Sequence, residues 1–290
     1  MSALFRFHAA SVILWRVRTE LHCHTTASDG LCAPAEVVRL ARLRDIELLA
    51  ITDHDTIAGN DEAVAAGDAQ GVRVIRGIEV SALSRHGETH VLGYGVQPRD
   101  AITLAKIASL RGVRESRARG ILDKLTRFGI HIPFEQVQAL AGDAMIGRPH
   151  VARALVMAGA VQTEQEAFDL YLAEGKPAFI PHAGLTPAQA VQLIHDAGGI
   201  AVLAHPGLYA GDLSALLDEM IPAGLDGIEV FYPLHTPEQT MHLAELARRR
   251  GLLLTGGSDF HGPRGNAELS LGSVHVPPEH IEALLARLGW

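Results

Sequence analysis

A chain of 290 residues with 48% hydrophobic and 20% charged content fits a folded α/β domain, alone or carrying an insertion. Its net charge of −8 argues against a broad basic surface for long nucleic acid. No run approaches the roughly 18 to 20 apolar residues that span a bilayer. Two cysteines give no disulfide framework, which fits a reducing cytoplasm. Residues 1–17 lack a signal-cleavage site and read as an N-terminal extension.

A short apolar run, Ser11 to Val17, reads as a strand or the approach to one. It leads into Glu20-Leu21-His22-Cys23-His24, then a turn-rich stretch to Asp29. On a strand, side chains alternate, so His22 and His24 share a face and Cys23 points the other way. Taken alone, the pair reads as well as two incidental histidines beside a loop. A helix is expected over Ala35–Arg44, a buried strand over Glu47–Thr52 ending in Asp53-His54-Asp55, and a helix from about Ile57 to Gln70. A strand from Val72 to Val80 carries Glu79, and a hairpin turning at Arg85-His86-Gly87 carries His90. Strands alternating with helices imply parallel strands, and imidazole or acid recurs where they end.

From about 99 to 192 the pattern turns mainly helical and reads as an insertion in a barrel-like domain formed by 18–98 and 193–290. The arginines 111, 114, 117 and 119 read either as a solvated helix face or as a basic lid over an anionic substrate. Strands resume at Gly199–Ala204, before His205, at Gly227–Tyr232, and at Leu252–Gly256, before Asp259 and His261. A helix is expected at Pro237–Arg250, a last strand at Gly272–Val276 and a last helix at Pro278–Leu288.

The strand-end residues gather into one set: His22, His24, Asp29, Asp53, His54, Glu79, His90, His150, His205, Asp259 and His261. Imidazole with carboxylate suits zinc, manganese or iron. Clustering so many ionisable groups without a cation would be costly, and their number exceeds the three protein ligands of one catalytic site, which points to two or three metals.

With their neighbours (His22-x-His24, Thr52-Asp53-His54, Gly77-x-Glu79, His90, His150, Ala204-His205-Pro206, Ser258-Asp259-x-His261), these residues resemble the motifs of the PHP (polymerase and histidinol phosphatase) family over nearly all of the chain after about residue 18. The resemblance implies a distorted (β/α)7 barrel, a trinuclear centre and phosphoesterase activity. It places His22, His24, Glu79 and Asp259 on a first metal. Glu79 bridges to a second held by His90 and His150, and Asp29, His54 and His261 hold the third. Asp29 stands where many members have histidine. Asp53 orients a ligand. Manganese is the expected metal, with zinc or iron as alternatives.

On that reading metal binding brings a water's pKa towards neutrality for in-line attack on phosphorus. The third metal and Arg148 neutralise phosphate oxygens, and His205 contacts the phosphate or protonates the leaving oxygen. Arg117 and Lys176 are further candidate phosphate contacts, Lys176 being equally readable as a surface lysine. The helical insert with Arg148-Pro149-His150 and Gly175-Lys176-Pro177-Ala178 is similar to the TrpH-like branch. That implies a small nucleotide or short oligonucleotide substrate, first a nucleoside 3',5'-bisphosphate losing its 3'-phosphate. The alternatives are 5'-to-3' trimming of short 5'-phosphorylated strands, histidinol-phosphate hydrolysis, and a metal-dependent amidohydrolase, whose bridging lysine has no strand-end counterpart.

Overall fold

The structure is a computed structural model, and it describes residues 18–290 apart from 86 and 264–268. The expected strand at Ser11–Val17 and the hairpin-tip residue His86 lie outside the described residues.

Seven strands form one sheet in chain order: β1 (Arg18–Glu20), β2 (Ile46–Ile51), β3 (Arg73–Ser84), β4 (Gly87–Tyr94), β5 (Ile200–Leu203), β6 (Gly227–Phe231) and β7 (Leu253–Gly256). Neighbours are parallel except around β4, which runs antiparallel to β3 and β5. The barrel closes just beyond β1 and β7. There Cys23 bridges Phe260, and the His24 N–H donates to the Phe260 carbonyl at 2.8 Å. This is an α/β fold, the expected distorted (β/α)7 barrel.

The crossover helices start and stop where local chemistry dictates. Helix α1 (Pro34–Leu43) opens on proline and carries Glu36 in its first turn and Arg42 in its last, matching the helix dipole. Helix α2 (Asn60–Gln70) begins three residues later than its apolar pattern predicts. Helices α8 (Leu213–Met220), α9 (Pro237–Arg250) and α10 (Pro278–Arg287) complete the outer layer. Helix α9 has a Thr236–Gln239 capping box and a left-handed Gly251 at its end. Residues 272–276 are not a strand. The Gly272 N–H donates to Glu20, and Val274 and Val276 pack with Leu21, Ile281 and Leu285, so side chains hold this segment across the barrel end.

The long α3 (Ala101–Thr126) starts on the barrel and leaves it. Ile107 and Leu110 join the cluster containing Val80 and Leu203, whereas Ala118, Ile121 and Leu125 join a separate apolar core. That second core is built with α4 (Phe134–Ala141), α5 (Arg148–Met157), α6 (Glu164–Ala167) and the π-helical turn Phe168–Leu172. Helix α7 (Pro187–Asp196) runs across the expected boundary at 192, and its Ala190, Val191 and Ile194 pack in the same cluster as Val80, Val91 and Leu203 of the barrel strands. Among the described residues, no helix is long and apolar enough to cross a membrane.

Candidate metal centre

The expected ligands meet just past the strand ends. His22 Nε2 lies 3.3 Å from Glu79 Oε2 and 3.4 Å from Asp259 Oδ1, and His24 Nε2 lies 3.1 and 3.0 Å from the same two oxygens. His54 Nδ1 is 3.0 Å from Glu79 Oε2, and His90 Nδ1 is 2.9 Å from Oε1. His261 Nε2 is 3.3 Å from Asp29 Oδ1. Three overlapping donor groups result: His22, His24, Glu79 and Asp259; His54, Glu79 and His90; and His24, Asp29, His54 and His261.

The chemistry of these donors fits cations. His22 Nε2, both His24 nitrogens, His54 Nδ1, His90 Nδ1, Glu79 Oε2 and Asp259 Oδ1 are buried and make no hydrogen bond. Such a concentration of unsatisfied polar atoms is rare unless something binds them. The tautomers agree where they can be read: His261 donates Nδ1–H to the Asp259 carbonyl at 2.9 Å, which leaves Nε2 as the donor atom. Burial raises the cost of the Glu79 charge, yet His54, His90 and His22 hold its carboxyl well below the usual range. Burial likewise opposes charge on His24, but Asp259 and Glu79 raise its pKa to about 10.

Backbone strain concentrates here. His205 (φ 29°), Asp55 (φ 54°) and Asp259 (φ 54°) are left-handed non-glycine residues at three strand ends of the site. Gly257 permits the closure, since a Cβ there would lie 2.4 Å from that of His22. Cys23 is the packing residue its position predicts, fully buried with Ile46, Leu49 and Phe260.

Some expected partners sit elsewhere. His150 is not among the donors grouped with Glu79 and His90, which lie with His54. Its Nδ1 accepts the Gly147 N–H at 3.0 Å inside the first turn of α5; burial lowers its pKa to about 4, with Asp29 opposing. Asp53 accepts from Thr25 N, Thr25 Oγ1 and Ser28 Oγ at 2.6–2.7 Å, fixing the loop that delivers Asp29. His205 is in place: its Nε2 is 3.2 Å from Glu79 Oε1 and its ring centroid 5.4 Å from that of Tyr232.

Each of the four arginines 111, 114, 117 and 119 has a partner within the fold. Arg114 is buried against Asp55 and Ser81, Arg111 donates to the Asp143 and Ala144 carbonyls, and Arg119 covers the Phe134 ring. Arg117 and Arg148 share Glu88, the latter at 3.6 Å, and both guanidinium groups lie 5.8 Å from the Phe179 ring. Lys176 is exposed on the turn between Leu172 and Phe179.

Sequence reasoning passed over two residues around the ligands. Tyr232 donates to Asp259 Oδ2 at 3.1 Å, and the fully buried Glu229 accepts from His22 Nδ1 at 3.0 Å. A signal for Glu229 exists, because Gly-Ile-Glu-Val occurs at both 77–80 and 227–230.

Comparison with known proteins agrees with this geometry. The family model described as PHP domain matches residues 20–167. The chain is 39% identical over 253 residues to a 5'-3' exoribonuclease of Haemophilus influenzae, covering 86% of this chain and 92% of the relative. It is 38% identical over 266 residues to a 3',5'-nucleoside bisphosphate phosphatase of Chromobacterium violaceum, covering 89% and 92%. Its fold superposes with a TM-score of 0.85 on a Bifidobacterium adolescentis crystal structure assigned as a metal-dependent phosphoesterase, at 32% identity and covering 94% and 96%. On these matches and this donor set, the chain belongs to the PHP domain family.

Proposed function

We propose that this metal-dependent phosphoesterase removes the 3'-phosphate from a nucleoside 3',5'-bisphosphate, using up to three divalent cations, with manganese the first choice. The observation that carries the reading is the convergence of buried, unpartnered imidazole and carboxylate atoms into three overlapping groups at one end of the barrel. When bound, such cations polarise phosphoryl oxygens and lower the pKa of a coordinated water. His22, His24, Glu79 and Asp259 would hold one, Glu79 and His90 a second, and Asp29, His54 and His261 a third.

The chain's own residues do the rest. Arg148 and Arg117, both on the helical segment 99–192, would contact the phosphate, with that segment as the cover over the nucleoside. The Arg148 guanidinium suits bidentate contact with phosphate oxygens, whereas Arg117 already gives Nε to the Ile180 carbonyl and Nη2 to Glu88 and would act mainly through its charge. Burial, with Arg148 and Arg114 nearby, lowers the Arg117 pKa to about 10 although Glu88 opposes the shift, so it stays charged at neutral pH. His205 carries a proton at Nε2, where it faces Glu79, and can give it to the leaving oxygen. The net charge of −8 favours a small anion drawn to a local site over a long strand.

A relative of similar identity is a 5'-3' exoribonuclease, which keeps strand trimming as the second reading. A panel of adenosine 3',5'-bisphosphate, AMP, histidinol phosphate and a 5'-phosphorylated trinucleotide, assayed with added Mn²⁺, separates the two. Release of phosphate from the bisphosphate at least about tenfold faster than the other reactions is the expected result. Trimming of the trinucleotide at a matching rate would favour the exonuclease, and full activity of metal-free protein would sink both.

A further inference from the structure

Glu229 lies on β6 with none of its surface exposed, and its carboxylate meets two N–H groups. His22 Nδ1 stands 3.0 Å from Oε1 and 3.2 Å from Oε2, and the backbone N–H of His205 stands 2.8 Å from Oε2. A carboxylate only accepts, so both partners donate. Glu79, in the first Gly-Ile-Glu-Val, is the contrast: its Oε2 makes no hydrogen bond and faces ring nitrogens of His22, His24 and His54. The same tetrapeptide therefore supplies one carboxylate open to a cation and one whose oxygens are already taken.

We infer that Glu229 is a positioning residue that sets the tautomer of His22 and tethers the strained backbone of His205. With Nδ1–H given to Glu229, the lone pair of His22 sits on Nε2, the atom that faces Glu79 and Asp259. His205, at φ 29° and ψ 52°, occupies a conformation that L-residues adopt only when held there, and its N–H bond to Glu229 is one of the holds. One side chain so ties a metal-facing ring to the backbone of the residue whose imidazole faces Glu79. The inference rests on the metal-centre reading of the cluster and on no choice of substrate.

Glutamine is a telling replacement because it fits the space but offers one acceptor and one donor. If its oxygen takes the Oε2 place, the amide nitrogen points a hydrogen at His22 Nδ1 and favours the tautomer protonated at Nε2, the wrong one for a cation. If the amide is reversed, its nitrogen opposes the His205 N–H.

The test compares Mn²⁺ binding to metal-free wild type and Glu229→Gln by calorimetry, together with the Tm of both metal-free proteins. The expected result is a loss of about 10- to 100-fold in affinity at one class of site, with Tm changed by only a few degrees. In a His22→Ala background, E229Q should add no further loss. Zinc-loaded wild type carrying ¹⁵N-histidine should show the His22 proton on Nδ1. Unchanged affinity in E229Q, an equal added loss without His22, or a His22 proton on Nε2 would each overturn the inference. The wild-type spectrum decides even where E229Q does not fold. Wild type that binds no metal at all would overturn the metal-centre reading along with it.

Discussion

Arg114 of helix α3 and Asp55, the residue after His54, form a buried ion pair in which Nε donates to Oδ2 at 2.5 Å. Asp55 Oδ1 also accepts the Ser81 N–H, and Arg114 Nη2 donates to Ser81 Oγ, so the helical segment is fastened beside a metal-facing histidine. Removing one partner of such a pair leaves a buried charge unmatched. Arg114→Ala is expected to lose about 3–5 kcal/mol in urea unfolding. Mn²⁺ titration should show the affinity at sites using His54 falling with it.

The metal-free cluster holds protons that a cation must displace. His24, raised to about 10 by Asp259 and Glu79 against the cost of burial, is protonated at neutral pH. Metal loading should therefore release protons and weaken as pH falls, which calorimetry in buffers of different ionisation enthalpy measures directly. Saturating metal at 100 times its Kd should add about 2.7 kcal/mol of stability, lost on chelation.

His182 carries a pKa shift of the opposite sign. It is 1% exposed, and burial lowers its pKa to about 4, with Asp55 opposing and Arg114 adding to the effect. The unfolded chain takes up that proton near pH 6.5 and the folded chain only near 4. Its contribution is thus complete above about 6.5 and is lost as pH falls towards 4. Urea unfolding of chelated protein at several pH values should show a shallower acid decline for His182→Gln than for wild type.

Arg148 provides a test of the rim. Arg148→Ala should reduce phosphate-ester turnover by about 10²-fold while metal content, read by elemental analysis, stays at the wild-type level. Equal loss of both would mean that the arginine serves the first turn of α5 instead.

The barrel was legible because its strands are short apolar runs punctuated by imidazole and acid, and the period-2 rule placed His22 and His24 on one face with Cys23 behind them. Asp29, His54, Glu79, His90, Asp259 and His261 could be gathered from sequence for the same reason. Residues whose roles depend on which hydrogen-bond partner reaches them were not legible. His150 has donor chemistry, but the Gly147 N–H one turn away claims its Nδ1. The arginines of α3 look like a charged face until Asp55, Glu88 and two carbonyls take them up. Val274 and Val276 have strand-like residues but no ladder to join.

The closure of the barrel at Cys23 and Phe260 has a consequence for biosynthesis. The buried Glu20 carboxylate accepts from Ser258 across 238 positions of sequence, and His22 and Asp259 face each other beside it. No chain still short of its last strand can assemble that ligand set. The group of His54, Glu79 and His90 comes from one early stretch of chain, whereas the two groups that use Asp259 or His261 wait for the last strand.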